Sequence, residues 1–376
     1  MSATIESLET ILVDIPTIRP HKLSMTTMGV QTMVIVRMKD SDGLEGLGEA
    51  TTIGGLAYGP ESPESPESVK LTIDTYFKPQ LIGQPAGNIN TLRVMLGRST
   101  RGNSLAKSAI ETALLDLQGK RLNRPVSDLL GGAVHAHIPV LWTLASGDTA
   151  KDIDEALSLI AARRHCDFKL KIGSRPVMDD VRHVAAIKEA VGDQASVRVD
   201  VNQAWDEATA AKGMAELQAA GIDLVEQPTP MKDYAALVRL SSKFHLPILA
   251  DEAVADAKDM YSLAAAGFAG AVAMKIAKAG GPARALEQAM VAQAAGIGLY
   301  GGTLLEGTIG TAAALHAWST LETLHWGTEM FGPLLMKDDI VVKPLRFHDN
   351  GVDLPTGAGL GVEIDEDKLA HYRRKG

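Results

Sequence analysis

From residue 137 onward the chain alternates short apolar runs with longer segments of helical periodicity. The runs are HIPVLWTLAS (137–146), FKLKIG (168–173), SVRVDVN (196–202), IDLVEQP (222–228), LPILADE (246–252), GAVAMKIAK (270–278), IGLYGG (297–302) and LHWGTEMFG (324–332). Between them, segments such as MDDVRHVAAIKEAVG, DEATAAKGMAELQAAG and PARALEQAMVAQAAG place apolar residues three and four apart and end in glycine, as amphipathic helices do. Strand–helix units repeated in this way predict an α/β fold, a TIM-type barrel of seven to eight (β/α) units, rather than an open doubly wound sheet. No G-x-G-x-x-G follows any of the runs, which removes the usual dinucleotide site.

The first 136 residues follow a different pattern. TIESLETILVDIP, QTMVIVRMKDSDG and LEGLGEAT alternate as meander strands, with Asp42-Gly43 as a turn. SVKLTIDTYFKPQLI and SLAKSAIETALLDLQGKRL follow as amphipathic helices. We expect an α+β capping domain over 1–136, a catalytic barrel over 137–344, and a final stretch, 345–376, that packs back on the capping domain. GPESPESPES (59–68) holds a tandem Ser-Pro-Glu repeat (62–67) and is expected to be a surface loop.

Composition narrows the function. The 376 residues are 45% hydrophobic and 22% charged, an ordinary globular balance with room for two domains. The net charge of −9 comes without a basic run, which argues against a nucleic-acid partner. No apolar stretch is long enough for a bilayer, and the N-terminus has no signal-peptide pattern. Cys166 is the only cysteine, so no intrachain disulfide forms; a cytoplasmic protein is the expectation.

In three of the runs the apolar part, SVRVD, IDLVE and LPILAD, ends in an acid: Asp200, Glu226 and Asp251. In a barrel of this kind the C-terminal strand ends build the site, so three successive strands deliver one carboxylate each. Converging carboxylates repel unless a cation joins them, and an all-oxygen set favours Mg²⁺ or Mn²⁺ over Zn²⁺. Lys169 and Lys171, two apart on one strand, share a face; Lys275 lies across the barrel. Repulsion within the lysine pair and its burial are expected to lower both pKa values, which suits proton transfer to or from carbon. Glu329, in WGTEMFG, stands where it can orient a lysine or meet the substrate.

At this point the chain resembles the enolase superfamily, in its muconate-lactonizing subgroup. The pattern is K-x-K on the second barrel strand, Asp, Glu and Asp on the third to fifth, and Lys on the sixth. The resemblance extends over essentially the whole chain and is strongest with the muconate cycloisomerase family, in DIPTIRPHKLSMTTM (14–28), GEATTIGGLAYG (48–59), WTLASGDTA (142–150), RVDVNQ (198–203), LYGGTLLEGTIGT (299–311) and WGTEMFGPLL (326–335). It implies an enolase-like fold and metal-assisted lactonisation of cis,cis-muconate to muconolactone in catechol (β-ketoadipate) catabolism. An enolate forms and is protonated by lysine, with Lys171 as the acid, Lys169 assisting, Lys275 on the other side of the substrate plane and Glu329 hydrogen-bonding in the site. It further implies metal ligation by Asp200, Glu226 and Asp251, and substrate contacts from His21, Lys22, Ile53, Tyr58, Thr143 and Asn202. His21 and Lys22 would form a cationic pair suited to a dianion. Family members tend to form large homo-oligomers, so an octamer is plausible by resemblance.

Other readings share the lysines and acids: chloromuconate cycloisomerase, dipeptide epimerase, N-acylamino-acid racemase and o-succinylbenzoate synthase. The two capping-loop stretches, around 19–28 and 50–60, favour muconate. Sugar-acid dehydratases of the superfamily generally carry a histidine after the seventh strand, where this chain has Tyr300-Gly301-Gly302. A non-catalytic barrel would be expected to lack a ligand or a lysine, and none is missing.

Overall fold

The computed structural model describes residues 3–22, 27–53 and 64–375, with the side chain of Lys22 left out. Strands β1 (Ile5–Lys22), β2 (Thr27–Asp40) and β3 (Glu45–Thr52) form an antiparallel meander, with the turn at Asp42-Gly43. Its inner face is covered by the helix Ser104–Leu122, which is buried along most of its length. The approach is close because β3 reads Gly46-Leu47-Gly48: a Cβ at either glycine would come within 2.1 Å of a carbonyl oxygen of that helix. Side chains there would hold strand and helix apart.

The Ser-Pro-Glu repeat departs from expectation. Residues 59–63 lie outside the described residues, but 64–68 are not a solvated loop. Ser65 and Ser68 form a reciprocal capping box that starts the helix Pro66–Thr72, an arrangement in which each side chain satisfies an otherwise orphaned amide. Glu64 is buried and accepts from the backbone N–H groups of Leu105 and Ala106, at a helix start where a carboxylate is favoured.

The barrel strands are β5 (Trp142–Leu144), β6 (Asp167–Lys171), β7 (Ser196–Asp200), β8 (Leu224–Glu226), β9 (Ile248–Ala250), β10 (Ala271–Met274) and β11 (Gly298–Gly301), all parallel and in sequence order. The eighth run forms no extended strand. Thr328 alone bridges Gly301 on one side and Val140 on the other, joining the two edges of the curled sheet. The first run also divides. Pro139 ends a short β4 (His137–Pro139), which joins β13 (Gly351–Asp353) and β12 (Phe347–His348) in a separate antiparallel sheet. Four of the barrel helices begin at an aspartate whose side chain caps the first turn: Asp148, Asp206, Asp233 and Asp256. Each satisfies amides that the helix leaves open, worth about 1 kcal/mol per cap.

The final stretch divides as well. Residues 351–353 pair with β4 beside the barrel, and 347–348 pair with them in turn, whereas Val13 bridges Arg373 and Arg374 binds the carboxylate of Asp14 on β1. The meander meets the barrel through buried polar contacts. Gln31 donates to the carbonyls of Leu304 and Leu305, and Glu49 accepts from Gly307 N and Gly310 N at the start of the helix Thr308–Trp318. Burial lifts the Glu49 carboxyl to about 7 against those hydrogen bonds. No helix of the described residues is long and apolar enough to cross a membrane.

Candidate functional site

Register places the chemistry. Lys171, Asp200 and Glu226 are level with one another on β6, β7 and β8, so their side chains share the inner face at the C-terminal ends of the strands. Asp251 and Lys275 directly follow β9 and β10. Lys169, Asp200, Glu226, Asp251, Lys275 and Glu329 are all buried, and buried charges must meet partners. Lys169 Nζ lies 3.0 Å from Glu226 Oε2, 2.6 Å from Glu329 Oε1 and 3.7 Å from Asp200 Oδ2. Lys171 pairs with Asp200. Lys275 reaches Asp251 Oδ2 at 2.6 Å.

These pairings reverse the pKa expectation for the lysines. Burial does oppose the charge on Lys169, but Glu226 and Glu329 outweigh it and hold the amine well above its usual range. For Lys171, burial and Lys169 also oppose the charge, and Asp200 prevails. The repulsion expected within the pair is present; the acids are nearer. Among the acids, burial and then Asp200 push Glu226 well up. Burial opposes ionisation of Asp251 too, yet Lys275 and Lys278 hold its carboxyl far below the carboxylate range.

His21 corrects another expectation. It is 1% exposed, and burial, Arg19, Lys171 and Lys169 lower its pKa to about 3. It is a neutral ring against Phe331, not half of a cationic pair. The Lys22 side chain and Tyr58 lie outside the described residues. His21, Ile53, Thr143 and Asn202 line one cavity together with Lys169, Lys171, Glu226, Asp251, Lys275 and Glu329. His21 Nδ1, Thr143 Oγ1 and Asn202 Oδ1 have no hydrogen-bond partner among the described residues. Three unmatched polar atoms around one cavity are what a bound polar molecule would satisfy. The cavity holds about 30 Å³, room for roughly one water. A larger one, about 550 Å³, lies between the capping domain and the barrel. Its arginines, Arg93 and Arg284, are paired with glutamates.

Several residues of the site were not singled out from sequence. Lys278, one helical turn past Lys275, donates to Asp251 O at 2.6 Å, Asp251 Oδ1 at 2.8 Å and Ala273 O at 3.3 Å. Its place in the KIAK run, three residues after Lys275, was the available signal. Gln227 Oε1 accepts from Asp251 N and Ala253 N, and Tyr300 donates to Glu329. Asn202, Gln203 and Gln227 have φ of 44°, 68° and 36°. Non-glycine residues in this region carry strain, and such strain gathers at functional sites. Here it lies just past β7 and β8, and no one-dimensional pattern announces it.

The donor set fits a hard divalent cation in chemistry. Asp200, Glu226 and Asp251 offer only oxygen, and the upward push that Asp200 exerts on Glu226 is a repulsion that a cation would relieve. The three carboxylates are not gathered as closely as a metal would hold them. Among the described residues, the one trio of His, Cys, Asp or Glu ligand atoms lying mutually within 4.8 Å is His137, His348 and Asp353, elsewhere in the molecule. A cation at the mouth therefore competes with the lysines for the same oxygens.

Comparison with known proteins gives full-length matches. Residues 7–131 match the family described as mandelate racemase / muconate lactonizing enzyme, N-terminal domain, and residues 151–368 the enolase C-terminal domain-like family. Muconate cycloisomerase 1 of Pseudomonas putida is 54% identical over 100% of both chains. A chloromuconate cycloisomerase of Pseudomonas sp. (strain P51) is 46% identical over 98% of this chain and 99% of its own. A crystal structure of muconate lactonizing enzyme from Pseudomonas fluorescens complexed with muconolactone superposes with a TM-score of 0.97, at 56% identity and 100% coverage of both chains.

Proposed function

The chain belongs to the mandelate racemase / muconate lactonizing enzyme family of the enolase superfamily, and on that premise we propose that it is an isomerase closing cis,cis-muconate to muconolactone. The observation that carries the reading is the cavity itself: lysines on two sides of a carboxylate cluster, rimmed by polar atoms of His21, Thr143 and Asn202 that find no partner among the described residues. The full-length muconate relatives at 50–54% identity, against 45–46% for the chloromuconate enzymes, support the unchlorinated substrate.

In the proposed reaction one substrate carboxylate lies near Asp200, Glu226 and Asp251, which would hold Mg²⁺ or Mn²⁺. Bound there, the cation would supply positive charge to the enolate that develops. An oxygen of the other carboxylate bonds to the diene and closes a five-membered ring, and the displaced π pair moves toward the first carboxylate. Lys171 then gives a proton to the α-carbon and is reprotonated from solvent. Lys169 stays fixed between Glu226 and Glu329 and adds positive charge. Lys275 borders the opposite side, and neutral His21 can donate or accept a hydrogen bond without repelling the lysines. With room for only about one water in the cavity, the diacid enters by displacing contacts that now span it. The resemblance supports a cytoplasmic homo-oligomer acting on this small dicarboxylate.

The dianion becomes a monoanion, so each turnover takes up one proton. The test is loss of the diene absorbance on adding enzyme with Mn²⁺, matched in a pH-stat by one proton consumed per substrate. Racemisation of an N-acyl amino acid consumes none. Turnover of such a substrate with no change in muconate absorbance would defeat the reading.

A further inference from the structure

Away from the barrel mouth, the sheet β12-β13-β4 gathers two histidines and an aspartate on one face. Asp353 is the direct cross-strand partner of His137, and His348 pairs with Gly351, two residues before Asp353 on the middle strand. Same-face neighbours across a sheet are held within side-chain reach. His137 Nδ1 and His348 Nε2 both lie 2.9 Å from Asp353 Oδ1, and the rings are 4.8 Å apart at their centroids. Gly351 makes this convergence possible, since a Cβ there would come 2.5 Å from His137 Nε2.

The second ring nitrogen of His348, Nδ1, faces Asp349 Oδ2 at 3.0 Å. A carboxylate behind a histidine fixes the ring and the tautomer, and this is the support that metal-bound histidines commonly have. Were Nδ1–H given to Asp349, Nε2 would face Asp353 Oδ1 with its lone pair, and a cation between them would take the place of the second ring proton. The other oxygen of Asp353 faces Arg346 at 3.6 Å, and Arg163 lies 3.1 Å from Asp349. Oδ1 is thus the oxygen left to the histidines. About a third of each of the three side chains is open to solvent, so water can supply further ligands.

We propose that His137, His348 and Asp353 form a second, separate metal site, for a borderline divalent ion of the Zn²⁺ type. Two imidazoles and one carboxylate suit Zn²⁺ and Co²⁺, whereas Mg²⁺ prefers an all-oxygen shell. An ion there joins the residue leading into the barrel to the C-terminal stretch 348–353, so its binding free energy becomes folding free energy of that stretch.

The test uses the full-length protein with saturating Mg²⁺ at the barrel mouth and Co²⁺ as the probe. One equivalent of Co²⁺ is expected to bind with the visible bands of a low-coordinate nitrogen-ligated ion, to be displaced by Zn²⁺, and to raise the melting temperature. His137→Ala and His348→Ala are each expected to weaken Co²⁺ binding at least tenfold while far-UV circular dichroism is retained. His348→Gln serves as the second variant if the alanine form does not fold. Absence of the bands in the unmodified protein, or binding unchanged in the folded variants, overturns the proposal.

Discussion

The two walls of the barrel mouth solve one electrostatic problem differently. On the β6 wall, Lys169 is spread over Glu226, Glu329 and Asp200 with its side chain 2% exposed, while Lys171 meets Asp200 with 16% exposed. On the β10 wall both lysines converge on one acid: Lys278 takes Asp251 Oδ1 and its backbone carbonyl, and Lys275 takes Oδ2. Lys278 has three acceptors for its three N–H donors. Each wall therefore has one lysine anchored among several acceptors and another with fewer; Lys169, Lys171 and Lys275 border the cavity, and Lys278 stands behind it. The anchored lysine holds carboxylates in place, and on the β6 wall its neighbour Lys171 is the more exposed of the two.

On the proposed mechanism the walls are unequal in the chemistry. Lys171→Ala should lower kcat by about 10²–10⁴-fold, the range of a lost general acid, with the fold kept. Lys275→Ala should lower it less. Steady-state kinetics on both variants decides the matter: a near-normal rate for Lys171→Ala beside a collapse for Lys275→Ala would move the proton donor to the β10 wall.

Within the β6 wall, anchoring should appear as stability. Lys169→Ala strands Glu226 and Glu329 in a buried site, and breaking one side of such a pair costs about 3–5 kcal/mol. Lys171, more exposed, should cost clearly less on the same denaturation curve. Equal losses would show that the difference in exposure has no energetic meaning.

The β10 wall can be probed without turnover. Lys278→Met keeps the apolar stem but releases one oxygen and the backbone carbonyl of Asp251. Lys278 occupies an oxygen for which a cation at the mouth competes, so Mn²⁺ binding followed by electron paramagnetic resonance should tighten in this variant. Unchanged Mn²⁺ affinity would remove Lys278 from the site.

The sequence made the walls legible unequally. Lys169, Lys171, Asp200 and Glu226 sit on strands, where period two fixes the face, and they were readable from the runs alone. The barrel itself was readable for the same reason, because buried parallel strands leave continuous apolar runs. Lys278 was not, because it lies in the short helical turn after β10, where strand periodicity no longer applies. The division of HIPVLWTLAS was hidden in the same way: its first half pairs with residues more than 200 positions later, a contact no local pattern encodes. The capping helix built from the Ser-Pro-Glu repeat depended on the N-terminus of Ser104–Leu122 standing opposite Glu64, which is again a tertiary fact.

The smallest effect concerns the charge that the β6 wall projects onto the capping domain. His21 has a folded pKa of about 3 against an ordinary 6.5, through burial first and then Arg19, Lys171 and Lys169. The unfolded chain takes up this proton below 6.5 and the folded chain does not. The stability contributed by neutral His21 is therefore whole above 6.5 and is lost as pH falls toward 3. His21→Gln keeps a polar group yet cannot titrate, so its melting temperature should fall less steeply than that of the unmodified protein across this window. Lys171→Ala, which removes one of the repelling charges, should shift the His21 titration upward, as read by NMR. Parallel acid limbs for His21→Gln and the unmodified protein would mean that His21 is reached by solvent and that the lysine wall does not govern it.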